Sequence, residues 1–197
     1  LMDAQMNIIT SHIGEDYTRF GPEGIIDSLF ISINKTMEYA KKKEINIGAI
    51  GIGVPGPLDA QSGLVKQPPK LKGWKDVPLG SIVQKEYGIP VWIENDANVC
   101  ALAEKWLGSG RKIHNFIYIL INEGIGAGVI IKDELYQGTY DFVGEIGHFL
   151  CYEGEQFQFL EDIAGVDVLL YMANSQGLSV KSLENMTELL LSLIHIS

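Results

Sequence analysis

Cysteine is scarce in this sequence. Cys100 and Cys151 lie far apart without paired spacing, which excludes a disulfide framework and, from cysteines alone, a four-ligand zinc site; a reducing compartment fits. A basic surplus is also lacking. Fifteen Lys and Arg stand against 25 Asp and Glu, a net charge of −10, which disfavours the clustered cationic face that a nucleic-acid backbone requires. The one basic run, Lys41-Lys42-Lys43, falls at the end of a predicted helix, where the helix dipole and solvation account for it. No stretch approaches the roughly 20 apolar residues of a membrane span, and the start lacks a charged region followed by an apolar signal core. The expected compartment is therefore the cytoplasm. Internal repeats of fixed period and low-complexity segments are missing too, which removes solenoids and linkers from consideration.

What is present is globular. With 46% hydrophobic residues, a chain of 197 can bury a real core. Residues 1–9 read as strand, polar turn and strand. Residues 22–43 carry Ile25, Ile26, Leu29, Phe30, Ile33, Met37 and Ala40 at helical spacing behind Pro22, a good first-turn residue. Residues 45–54 form a β-branched run broken by glycines and stopped by Pro55-Gly56-Pro57, which predicts a buried strand. A short helix over 79–87 closed by Gly88, a strand over 89–93 and a helix over 97–107 follow. This order predicts an α/β sheet covered by helices. A strand over 116–121 then opens a second sheet unit, in which Gly124-Ile125-Gly126-Ala127-Gly128 leads into a strand over 129–131. Lys132-Asp133-Glu134 turns the chain, and Leu135-Tyr136 returns. The glycines between 108 and 112 mark the expected hinge, giving one lobe over residues 1–109 and part of another over 110–190.

Both ends read as cuts. The chain starts with Leu1, already inside a strand-turn-strand pattern, so an upstream segment is expected. Residues 191–197 can be encoded by a transposon-end sequencing adapter and are set aside from the fold as an expected scar.

Three clusters carry chemistry. Glu94, Asn95 and Asp96 stand at the C-terminal end of a predicted buried strand, where open α/β sheets bind ligands. Asp96 could accept a hydrogen bond from a sugar hydroxyl and, in an enzyme, take its proton; it is equally well placed to cap the following helix. Gly144-Glu145-Ile146-Gly147-His148 sets a carboxylate and an imidazole three residues apart between glycines. Glu145 can accept from paired hydroxyls and neutral His148 can both donate and accept, which suits a polyol, although a Glu and a His beside a turn also serve structural ends. Gly124 and Gly126 could let backbone N–H groups approach phosphates, but Glu123 precedes them and apolar β-branched residues follow, so a tight turn between strands competes with that reading.

In order, Gly51-Ile52-Gly53-Val54-Pro55-Gly56-Pro57-Leu58-Asp59, Gly73-Trp74, Ile93-Glu94-Asn95-Asp96-Ala97-Asn98, Gly124-Ile125-Gly126-Ala127-Gly128 and Gly144-Glu145-Ile146-Gly147-His148 resemble the motif series of the ROK family of repressors, open reading frames and kinases. The resemblance runs over residues 48–161. It implies an α/β, actin-like and ribonuclease-H-like fold of two lobes with a sugar in the cleft between them. It makes Asp96 the base of a kinase and makes Asn95, Asp96, Glu145 and His148 sugar contacts. Glu161 resembles a further sugar-contacting glutamate.

The departures shape the expected function. Family members follow the histidine with a longer loop whose three cysteines bind zinc with it; here Cys151 stands alone in a shortened loop, so no structural zinc is expected. The family's second phosphate loop begins Gly-Thr-Gly, against Asn122-Glu123-Gly124, and its proline-asparagine pair is Pro69-Lys70. The expectation is therefore the sugar-binding effector part of a ROK-family transcriptional regulator. It would act as a homodimer and touch DNA only through a winged helix-turn-helix domain ahead of Leu1. The alternative is an ATP- and magnesium-dependent hexose or N-acylhexosamine kinase using Asp96.

Overall fold

The computed structural model describes residues 1–14, 21–69, 71–122, 124–139, 142–154, 156–182 and 185. Lys70, Glu123 and the expected adapter-derived residues 191–197 lie outside them. By internal contact the chain divides into two units, residues 1–96 and 97–197. Residues 97–109, grouped above with the first lobe, are thus counted with the second unit.

In the first unit, α1 (Gly21–Lys42) turns Ile25, Ile26, Leu29, Phe30 and Ile33 onto a core of Val54, Leu58, Val65, Trp74, Leu79, Val83 and Ile93. Its acidic first turn, with Glu23, and its basic last turn, with Lys41 and Lys42, both complement the helix dipole. β1 (Ile50–Val54) is shorter than the apolar run that predicted it. It pairs in parallel with β4 (Val91–Asn95), in register from Ile50 opposite Val91 to Val54 opposite Asn95. A parallel pair needs a crossover. The connection contains the small hairpin β2 (Leu58–Asp59) and β3 (Leu64–Val65), then α2 (Leu79–Tyr87). Gly88 ends α2 in the left-handed conformation, at φ 65°, and its N–H bonds to Gln84 O. The opening pattern of residues 1–9 reduces to a single bridge between Met2 and Ile8, around a turn in which Asp3 accepts from the N–H groups of Gln5 and Asn7.

The second unit begins in α3 (Asp96–Trp106). Its sheet runs β5 (Phe116–Ile121), β6 (Ile125–Ile131), β7 (Glu134–Leu135), all antiparallel. β6 begins four residues before the predicted strand, so Gly126 and Gly128 lie within a strand rather than a loop. The reason is packing. A Cβ on Gly126 would stand 3.2 Å from the Ala97 methyl, and one on Gly128 2.6 Å from Ala97 O, so bare backbone lets α3 lie close against β6. A 3₁₀ turn (Ile146–His148) leads into the hairpin β8 (Leu150–Glu153) and β9 (Gln156–Phe159), then α4 (Leu160–Ala164) and α5 (Val166–Ser175). Among the described residues, no helix is long and apolar enough to cross a membrane.

Candidate functional site

The second unit gathers three of the residues singled out above. Gly144, at φ 92°, presses so close to β6 that a Cβ there would stand 1.8 Å from Ala127 O, and the Ala127 N–H donates to Gly144 O at 2.8 Å. From this anchor the 3₁₀ turn swings out Glu145 and His148. α4 brings Glu161 in its first turn. His148 Nδ1 lies 3.6 Å from Glu145 Oε2, and Nε2 lies 3.6 Å from Glu161 Oε1. Both separations exceed hydrogen-bonding distance, so the imidazole stands between two carboxylates without a hydrogen bond to either.

The floor beneath this cluster is glycine. A Cβ on Gly124 would meet Glu161 Oε2 at 3.1 Å; one on Gly147 would meet it at 3.0 Å and Ile125 O at 2.4 Å. Gly124 and Gly147 therefore make room for the Glu161 carboxylate. Sequence reasoning passed over Gly147 as a flank; the signal was its place next to the histidine. Against the rim, the His148 ring packs edge-on to Phe159, with centroids 5.6 Å apart. The Glu161 side chain is 19% exposed, Glu145 30% and His148 44%, so the acids are recessed and the imidazole is open. Two carboxylates beside one imidazole offer acceptors and a switchable donor at close spacing, the chemistry that recognises adjacent hydroxyl groups.

Asn95 and Asp96 belong to the first unit. Asn95 is half-buried at the end of β4, its N–H held by Glu94 Oε1 at 2.8 Å, and Asp96 is the first residue of α3. There a carboxylate complements the helix N-terminus, a placement that serves the helix whether or not the side chain also meets a ligand. Gly124 and Gly126, weighed above for phosphate, have the packing reasons already given, and the carboxylate over Gly124 is a poor neighbour for an anionic phosphate.

The shortened loop after His148 forms the β8–β9 hairpin. Its one thiol, Cys151 Sγ, lies 3.8 Å from Phe149 O, while the nitrogens of His148 face carboxylates. This donor set does not fit the tetrahedral site of one histidine and three cysteines implied by the resemblance. Among the described residues no group of three or more His, Cys, Asp and Glu side chains could hold a metal ion.

Comparison with known proteins agrees with this architecture. The sequence model of the ROK family matches residues 2–159, and the chain belongs to that family. A putative xylose repressor from Caldicellulosiruptor sp. (strain Rt8B.4) is 44% identical over 126 residues, covering 64% of this chain and 31% of the repressor. A glucokinase from Halalkalibacterium halodurans is 32% identical over 117 residues, 59% of this chain and 35% of that enzyme. Among solved structures, a ROK-family glucokinase from Streptomyces griseus in complex with glucose and AMPPNP superposes with TM-score 0.74 at 26% identity, over 88% of this chain and 56% of that one. A ROK-family transcriptional regulator, a homologue of the Escherichia coli MLC protein, gives 0.67 at 26% identity, over 78% and 40%. The fold is thus the α/β, actin-like ATPase fold of ROK sugar kinases. The chain spans 31% to 44% of the length of the curated relatives it matches.

Proposed function

We propose that this chain is the sugar-binding effector part of a ROK-family transcriptional regulator. The observation that carries the sugar reading is the Glu145, His148 and Glu161 cluster on its glycine floor, recessed acids with an open imidazole. Asn95 and Asp96, at the end of β4 and the start of α3, are proposed in their own right as sugar contacts. The regulator reading is supported by relatives. A putative xylose repressor and a xylose repressor from two Caldicellulosiruptor strains share 44% identity with this chain and the Escherichia coli repressor Mlc 31%, whereas glucokinases from H. halodurans, Streptomyces coelicolor and Thermotoga maritima share 32%, 34% and 38%. The Glu161 carboxylate over Gly124 also favours a site that keeps sugar and dispenses with nucleotide phosphate. In this reading the intact protein works in the cytoplasm as a homodimer and contacts DNA through a part other than this acidic chain. Sugar binding biases an existing conformational equilibrium and so changes DNA affinity.

The second reading is an ATP-dependent sugar kinase, favoured by the close superposition on the S. griseus glucokinase. Asp96 would take the hydroxyl proton, and ATP with magnesium would supply the phosphoryl group. One experiment separates the two. The intact protein is bound to DNA from upstream of its own gene and titrated with xylose or glucose, with ATP-magnesium present and ADP monitored. A sugar-dependent change in DNA affinity without ADP formation is the expected result, and DNA affinity unmoved by either sugar would count against the regulator. Sugar-dependent ADP release that disappears in Asp96→Asn would establish the kinase instead.

A further inference from the structure

His148 and Glu161 flank one hairpin, and its pairing decides how they meet. β8 and β9 pair Leu150 with Phe159, and one step outward the Leu160 N–H donates to Phe149 O at 2.9 Å. The same register carried one residue further sets His148 opposite Glu161. Phe159 then stands diagonal to His148 across the pair, a separation that an aromatic side chain spans. The contact is made: the two rings meet edge-on with 63° between their planes and centroids 5.6 Å apart. Phe159 is also the residue from which α4 starts, so it joins the histidine to the helix that carries Glu161.

The last side-chain torsion of a histidine is broad, so an imidazole that must meet a ligand at a set angle has to be held in plane by its neighbours. Neither carboxylate does so by a hydrogen bond, since each stands 3.6 Å from the nearer ring nitrogen. A metal bond, which the family resemblance attaches to this histidine, does not fit the donor set that follows it, where Cys151 is the one thiol. The packing of Phe159 is the contact of defined geometry that is left among the described residues. We propose that Phe159 is a positioning residue of the sugar site: the hairpin register brings its ring against His148 and fixes the imidazole plane that the sugar meets, the task a metal bond would otherwise perform. This rests on the sugar reading of the Glu145, His148 and Glu161 cluster.

The test is calorimetric titration of the intact protein with xylose and glucose, made on the wild type, Phe159→Leu, Phe159→Tyr, His148→Ala and the His148→Ala, Phe159→Leu double variant. Phe159→Ile serves as a second removal of the ring. Phe159 is 43% exposed and each replacement keeps an apolar or aromatic strand end, so the fold is kept, and melting curves check it. The expected result is that Phe159→Leu and Phe159→Ile bind sugar about threefold to tenfold more weakly, while Phe159→Tyr matches the wild type. With sugar raised until the weaker variants saturate, Phe159→Leu should cost nothing further once His148 is replaced, because its effect passes through the imidazole. Wild-type affinity in the folded Phe159→Leu variant would overturn the positioning role and leave the sugar reading standing. An equal loss from Phe159→Leu with and without the imidazole would assign Phe159 to the sugar or the fold directly and overturn it as well. So would a wild type whose sugar affinity falls on chelation of zinc, which would return His148 to a metal. No binding of either sugar by the wild type would overturn both readings.

Discussion

Gly128 of β6 lies so close to Ala101 of α3 that a Cβ on the glycine would stand 2.4 Å from the alanine methyl. Ala101 is fully buried, so neither side can yield without moving helix from sheet. Gly128→Ala should therefore destabilise the intact protein by about 2–3 kcal/mol through overpacking. Gly51→Ala is the control, because nothing lies within 4 Å of a Cβ there and its φ is ordinary; it should leave stability within about 0.5 kcal/mol. Chemical denaturation of both variants measures the difference.

That contact also shows where sequence reading stops. The apolar period over residues 22–43, the helix over 79–87 with Gly88 and the strand over 116–121 were legible, because each is set by local pattern and a local stop signal. The glycines of β6 were not, since a glycine that admits a helix and a glycine that turns a loop are the same letter. The site was legible in the same divided way. Motif order pointed to Glu145, His148 and Glu161, which the fold brings together. That Glu161 occupies the space left by Gly124 and Gly147 depends on contacts between residues distant in the chain.

A second relationship of that kind ties α3 to the β6–β7 turn. Lys105, only 9% exposed, donates to Ile113 O at 3.0 Å and to the Asp133 carboxylate, whose other oxygen lies 2.7 Å from His114 Nδ1. The Lys105 hydrogen bond first, and the His114 contact second, hold the Asp133 carboxyl below its ordinary range. With the folded value lowered, the stabilisation is complete above the unfolded value of about 3.9 and is lost as pH falls through the folded one. Asp133→Asn should lower the melting temperature at neutral pH and flatten the loss of stability below about pH 4. An acid limb as steep as that of the wild type would assign the pH dependence to other carboxylates.

Trp74 is 2% exposed, and its indole N–H is buried without a hydrogen-bond partner among the described residues. Trp74→Phe removes that unsatisfied donor along with part of the ring, so the two effects oppose. The net loss should stay below about 2 kcal/mol, less than the 3–5 kcal/mol expected for truncation to alanine. Thermal melts of Trp74→Phe and Trp74→Ala compare them.

Asp96 tests whether the helix-end role and the ligand role separate. Asp96→Asn keeps a hydrogen-bonding side chain at the start of α3, so the melting temperature should change little, while the affinity for sugar falls. Equal losses of stability and affinity would reduce Asp96 to a structural residue.

The most direct test of the central claim is a calorimetric titration of the intact protein with xylose and glucose, set beside His148→Ala and Glu161→Gln. The account predicts saturable binding of one sugar per chain by the wild type. It predicts a weakening of about tenfold to a hundredfold in each variant, the loss of one hydrogen bond to a charged or ring group, at unchanged fold by melting. Sugar bound with wild-type affinity by both folded variants would contradict it.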